Sequence, residues 1–230
     1  MQTLVVDVVI PALNEEQALP RVIADIPRPF VRRVVVADNG STDHTAAVAK
    51  EAGAEVVFEP ERGYGAACLA ALSHVAPDPP DVIVFLDGDY SDHPAELVDL
   101  VAPIAAERAD LVVGSRVTGQ RTAGALTLQQ RVGNAIACRA LRWLYRAEYT
   151  DLGPFRAIRW DTLCSLAMAD RDFGWTVEMQ IKAAKCRVRH QEVPVSYRPR
   201  IGDSKISGTL VGSVKAGAKI LWLLGRSAWP

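Results

Sequence analysis

Cysteine is scarce in this chain, and its spacing excludes most of what cysteine usually does. Cys68, Cys138, Cys164 and Cys186 stand far apart, with neither a CxxC pair nor zinc-like spacing. No disulfide framework or structural zinc is expected, and a reducing, cytoplasmic compartment is the economical reading. Excess charge is lacking too: 26 basic residues against 27 acidic ones leave a net charge of −1. Nucleic-acid affinity rests largely on neutralising phosphates, so a general nucleic-acid binder is not expected. No uncharged apolar run reaches the roughly 18 residues of a membrane-crossing helix. The start, Met1-Gln2-Thr3-Leu4, lacks the basic segment and long apolar core of a secretory leader. Internal repeats, low-complexity tracts and linkers are absent as well.

What the chain does hold is 49% hydrophobic residues over 230 positions, enough for one sizeable core. Five short β-branched runs stand out: Val5–Ile10, Val34–Ala37, Glu55–Phe58, Val82–Leu86 and Leu111–Val113. Helix-like stretches separate them, the alternation of βαβ units, and near-continuous apolar strands fit a mainly parallel sheet covered on both faces. Asn14 followed by Gln17 reads as a capping box, and Ser41-Thr42-Asp43 as a second cap before a helix over Ala46–Ala52 that Gly53 closes. Beyond residue 114 the pattern shifts to a helix over Gln129–Arg146, a Gly/Pro/aromatic stretch, a helix near Val177–Lys185 and a strand-like Glu192–Tyr197.

The strongest local signal is Asp87-Gly88-Asp89 at the end of the fourth run. In an extended segment residues i and i+2 share a side, roughly 6.5–7 Å apart, so Asp87 and Asp89 can jointly hold a hydrated Mg2+ or Mn2+. Gly88 leaves room for a diphosphate to approach the backbone. Ordinary Asp-Gly turn chemistry is the competing reading. Ligands of open α/β sheets bind outside the carboxyl ends of strands. Polar clusters follow all five runs there: Asn14-Glu15, Asp38-Asn39-Gly40, Glu61-Arg62-Gly63, Asp87-Gly88-Asp89 and Gly114-Ser115-Arg116.

Further segments extend the pattern: Ile10-Pro11-Ala12-Leu13-Asn14-Glu15-Glu16, Ala37-Asp38-Asn39-Gly40-Ser41-Thr42-Asp43, Arg62-Gly63-Tyr64-Gly65-Ala66-Ala67, Asp151-Leu152-Gly153-Pro154-Phe155-Arg156-Ala157 and Arg200-Ile201-Gly202-Asp203-Ser204-Lys205-Ile206-Ser207-Gly208-Thr209. Together these resemble family 2 glycosyltransferases of the α/β GT-A fold, and within them the dolichyl- and polyprenyl-phosphate sugar synthases. The resemblance implies an inverting, metal-dependent transferase on one domain over 1–230. Residues 1–116 would form its nucleotide-sugar half, 117–209 its acceptor half and 210–230 an amphipathic helix. Pro11, Ala12, Asn14, Glu15 and Gly63 would line the nucleotide pocket, with Asp38 accepting hydrogen bonds from base or ribose. Asp87 and Asp89 would carry Mg2+ or Mn2+ on the donor diphosphate beside Gly88. One departure stands out: relatives often place Gln two residues after the second Asp, where this chain has Ser91, followed by Asp92-His93. Asp92 or water is left to complete the metal shell.

The basic turn around Arg200 and Lys205 suits a phosphate clamp and is expected to fold over the donor. By the same resemblance, Arg116 and Arg131 would hold an acceptor phosphate, which is largely dianionic at neutral pH and needs no general base. A hydroxyl acceptor would need one, and Glu178 or Asp151 is then the candidate; each can equally be a structural carboxylate. Arg139, Arg142 and Arg146 beside Trp143, and Lys215 and Lys219 beside Trp222, make two basic amphipathic stretches. These suit peripheral contact with an anionic membrane or packing on the core. A nucleotidylyltransferase is disfavoured because Pro11-Ala12-Leu13-Asn14-Glu15 is no Gly-rich basic signature, and a non-catalytic nucleotide binder has little use for both Asp87 and Asp89.

Overall fold

The computed structural model describes residues 4–202 and, near the C-terminus, 219, 222, 223, 225 and 226. Its strands are β1 (Val6–Ala12), β2 (Arg33–Asp38), β3 (Glu55–Phe58), β4 (Val82–Phe85), β5 (Leu111–Ser115), β6 (Arg156–Arg159) and β7 (His190–Pro194). Its helices are α1 (Leu19–Asp25), α2 (Thr45–Glu51), α3 (Tyr64–Val75), α4 (Leu97–Ala105), α5 (Leu128–Tyr145), α6 (Trp160–Leu166) and α7 (Trp175–Lys185). One sheet takes the order β3-β2-β1-β4-β6-β5-β7. β1 pairs in parallel with β2 and β4, β2 with β3, and β5 with β7. β6 alone runs the other way, antiparallel to both β4 and β5.

Side-chain alternation along the strands divides the core into two layers. Val8, Ile10, Val34, Val36, Val82 and Val84 pack with Leu19, Val22, Leu97, Leu100 and Ile104 of α1 and α4. Val9, Val35, Ala37, Ile83 and Phe85 pack on the opposite face with Ala67, Ala71, Leu141, Trp175 and Met179 of α3, α5 and α7. Burial of both faces is why residues 8–10, 34–37 and 82–85 are apolar at successive positions.

All five expected β-branched runs are strands within two residues of their expected ends. The strand expected at Glu192–Tyr197 lies two to three residues earlier. Two elements were missing: β6, four residues behind Gly153-Pro154 that are too short to show a period, and the seven-residue α6 that follows it. The cap assigned to Asn14 is also corrected. α1 begins at Leu19 with Pro20 in its first turn and no side-chain cap. Asn14 takes a left-handed φ of 54°, and its Oδ1 accepts the Thr42 N–H at 2.8 Å. The side chain is spent on lacing two loops together. Gly53 closes α2 as expected, with φ 81° and its N–H on the Lys50 carbonyl. α5 carries a capping box that sequence reading missed, Thr127 with Gln130.

Candidate active site

The ends of β1, β2 and β4 are neighbours in the sheet, so the polar segments that follow them meet at one edge. Asp38 Oδ1 accepts the Ser41 N–H at 3.0 Å, a bond that caps the turn after β2. Asn14 and Glu15 donate their N–H groups to Ser41 Oγ and Thr45 Oγ1, at 2.9 and 2.8 Å. Pro11 and Ala12 stand opposite Ala37 and Asp38 in register. Asn39 ties in β3: its amide donates to the Glu59 and Glu61 carbonyls and its Oδ1 accepts the Gly63 N–H at 2.8 Å.

Gly63 and Gly65 have a packing reason that sequence spacing hid. A Cβ on Gly63 would lie 2.0 Å from the Arg171 carbonyl oxygen, and one on Gly65 would lie 1.9 Å from that of Asp170. The Gly65 and Ala66 N–H groups donate to the Asp172 and Arg171 carbonyls. Loop 170–172 thus satisfies the first amides of α3.

After β4 the chain turns sharply through the acidic segment. Gly88 fits against Ile10 Cγ2, Glu15 Cγ and Leu19 Cδ1, at 3.4 to 3.6 Å from an added Cβ. Asp87 is half-buried and accepts from the Tyr64 hydroxyl at 3.1 Å. Burial, reinforced by Asp89, pushes its pKa up to about 6. Asp89 is nearly enclosed. Its Oδ1 accepts the Ser91 N–H at 2.9 Å, and its Oδ2 pairs with the Arg200 guanidinium at 2.5 Å. Asp92 is 1% exposed, and neither carboxylate oxygen has a hydrogen-bond partner. Burial, then Asp87 and Asp89, drives its pKa well above the usual range.

The cations come from the other half of the chain. Arg116 donates from Nε and Nη2 to the two oxygens of Asp151, at 2.8 and 2.7 Å, and lies 5.0 Å from the centre of the Tyr197 ring. Burial alone would lower its pKa, but Asp151 more than offsets this and keeps it raised. Asp151 is therefore committed to Arg116. Glu178 is committed as well: it accepts the Ala169 and Asp170 N–H groups and pairs with Lys182 at 2.9 Å. Arg131 is exposed on α5, one turn before Asn134, whose side chain binds the Thr150 carbonyl and the Leu152 N–H. Arg156, fully buried, donates to the Gly153 and Leu152 carbonyls and, at 3.0 Å, to that of Thr176, tying the 152–153 loop to α7. Its motif was visible in sequence, but its three carbonyl partners were not. Lys205 lies outside the described residues, as do Ser204, Gly208 and Lys215. Of the C-terminal segment, Leu223 packs on the α3–α7 layer and Lys219 pairs with Asp170 at 3.0 Å.

A hard divalent cation fits the acidic turn, where Arg200 already places positive charge on Asp89. Among the described residues no group of three or more His, Cys, Asp or Glu side chains could hold an ion, so Asp87 and Asp89, were they to hold one, would leave its other ligands to water or substrate oxygens.

Comparison with known proteins places this edge in context. The model of glycosyl transferase family 2 matches residues 7–172. An uncharacterized glycosyltransferase of Mycobacterium tuberculosis is 41% identical over 92% of this chain and 94% of its own length. The dolichyl-phosphate hexose transferase of Haloferax volcanii is 33% identical over 93% of this chain and 91% of its own. Among solved structures, glucosyl-3-phosphoglycerate synthase from Mycobacterium tuberculosis in complex with Mn2+, UDP-glucose and phosphoglyceric acid superposes with a TM-score of 0.78. It is 26% identical, with 99% of this chain and 81% of that one covered. The acidic turn after β4, the laced loops after β1 and β2 and the family match over most of the chain agree: this chain belongs to glycosyl transferase family 2.

Proposed function

We propose that this glycosyltransferase moves a hexose, with inversion, from a nucleoside-diphosphate sugar to a polyprenyl or dolichyl phosphate. The observation that carries the acceptor class is the placement of charge. Asp151 and Glu178, the candidate bases, are spent on Arg116 and on backbone amides, and Asp92 is enclosed. An acceptor that is already an anion needs no base, and its second pKa of about 6 meets that condition. The name of the Haloferax relative supports the same class.

In this reading Asp87 and Asp89 hold Mg2+ or Mn2+ with the diphosphate, which supplies charge neutralisation at the leaving group. Pro11, Ala12, Asn14, Glu15, Asp38, Gly63 and Gly88 shape the nucleotide side. Arg200 and Lys205 hold donor phosphate, and Arg116 and Arg131 orient the acceptor phosphate for in-line attack. Among the described residues no helix is long and apolar enough to cross a membrane. Access to lipid would come through the outer face of α5, where Leu128 and Trp143 are 70% and 83% exposed and Val132 and Ile136 half-exposed beside Arg139, Arg142 and Arg146. Such a face suits peripheral contact from the cytoplasm.

A hydroxyl acceptor is the second reading, favoured by the solved neighbour whose complex holds phosphoglyceric acid. Radiolabelled transfer from UDP- and GDP-sugars with Mn2+, to a short polyprenyl phosphate and to phosphoglyceric acid, separates the two. With a phosphate acceptor, Asp89→Ala abolishes product and Arg131→Ala loses far more activity than Glu178→Gln. A catalytic base in Glu178 would reverse that order, since removing a base costs about 10²–10⁴ in rate.

A further inference from the structure

We infer that Arg200 is a tethered surrogate cation. It occupies the Asp89 oxygen that a divalent ion would take, and it leaves when a nucleoside diphosphate offers its guanidinium another anion. This rests on the reading of Asp87 and Asp89 as the metal-diphosphate site. The two oxygens of Asp89 have different partners. Oδ1 accepts the Ser91 N–H at 2.9 Å, a bond internal to the turn. Oδ2 is paired with Arg200 at 2.5 Å, so an ion approaching Oδ2 meets the guanidinium on the same atom.

The exposures fit exchange of this pair. The Asp89 side chain is 5% exposed and that of Arg200 is 30% exposed, so the cation reaches solvent while the anion does not. The backbone beneath them is fixed. Ile201 donates its N–H to the Asp89 carbonyl and Arg198 its N–H to that of Ser91, both at 2.9 Å. Arg198 also donates from Nε to the Tyr90 carbonyl at 2.6 Å and lies over the Tyr90 ring. Release of Oδ2 therefore requires only the turning of one long side chain. Beside it, Gly202 takes φ 82°, and among the described residues, its chain neighbours aside, no atom lies within 4 Å of where a Cβ would stand.

The consequence is a coupling between two ligands. Nucleotide draws Arg200 off Oδ2 and opens it to metal, and by linkage metal favours nucleotide to the same extent. The test measures free Mn2+ by electron paramagnetic resonance with wild type, Arg200→Gln and Arg200→Lys, with and without UDP. Without UDP, Arg200→Gln is expected to bind Mn2+ about fivefold or more tightly than wild type, the scale of a partly buried, charge-assisted pair. Arg200→Lys should fall between them, and it keeps the test open if the Gln variant fails to fold. With saturating UDP the advantage should vanish or reverse. Equal or weaker Mn2+ binding by both variants without nucleotide would overturn the inference and leave the metal site standing. No Mn2+ binding by any of the three, with or without UDP, would overturn the metal reading and the inference together.

Discussion

Asp87 sits half-buried between the Tyr64 hydroxyl and the Asp89 carboxylate, and its charge is unfavourable in the metal-free protein. Its pKa of about 6 in the fold compares with about 3.9 for an unperturbed Asp. Between those values the folded state holds a proton that the unfolded state has lost, so this group makes stability fall as pH rises from about 4 to 6. Asp87→Asn removes that slope. In EDTA the variant should gain on the order of 1–3 kcal/mol relative to wild type on going from pH 4 to pH 7.5, while losing Mn2+ binding. Urea titrations at the two pH values check it, and an unchanged difference would refute the assignment. The spacing of Asp87 and Asp89 made this pair legible in sequence, because i and i+2 share a side in any extended segment. The roles of Gly65, Arg156 and Arg200 were not legible, since the Asp170 carbonyl, the Thr176 carbonyl and the Asp89 carboxylate they meet lie 105, 20 and 111 residues away in the chain and only the fold brings them together.

At the scale of elements, the two ends of α5 do different work. Near its start Asn134 fastens the helix to residues 150 and 152, which flank the Asp151 partner of Arg116, and Arg131 stands one turn earlier on the helix so fastened. Further along, Arg139 and Trp143 face outward. Reversing charge at Arg139 and Arg142 to Glu should cut binding to vesicles rich in anionic lipid about tenfold or more, at roughly 1 kcal/mol per basic residue near such a surface. Transfer to a detergent-solubilised acceptor should persist. Flotation with matched neutral vesicles checks this; equal recovery of both proteins would remove α5 from the membrane. Helix and strand placement was legible wherever apolar periodicity ran for several residues. It failed at β6, where Arg156–Arg159 is pinned by neighbours on both sides rather than by its own pattern.

For the molecule as a whole, ligands that bind only the folded state raise its stability. A nucleoside diphosphate with Mn2+ at a hundredfold excess over its Kd adds about 2.7 kcal/mol, a shift of roughly 5–10 °C for a chain of this size. The rise with both should exceed the sum of the rises with each alone, and differential scanning fluorimetry across UDP and GDP reads it directly. Simple additivity would mean that metal and nucleotide do not share a site. The reversed strand β6 has a further effect, felt while the chain is being made. β5 hydrogen-bonds to β6 and β7, not to β4, so a nascent chain that ends near residue 120 has made β5 before any neighbour for it exists. Until Arg156–Arg159 leaves the ribosome, β4 and β5 both present open edges, the kind that recruit strands from other chains. The pace of translation between residues 116 and 159 then sets how long these edges of β4 and β5 wait, unpaired, for the strand that joins them.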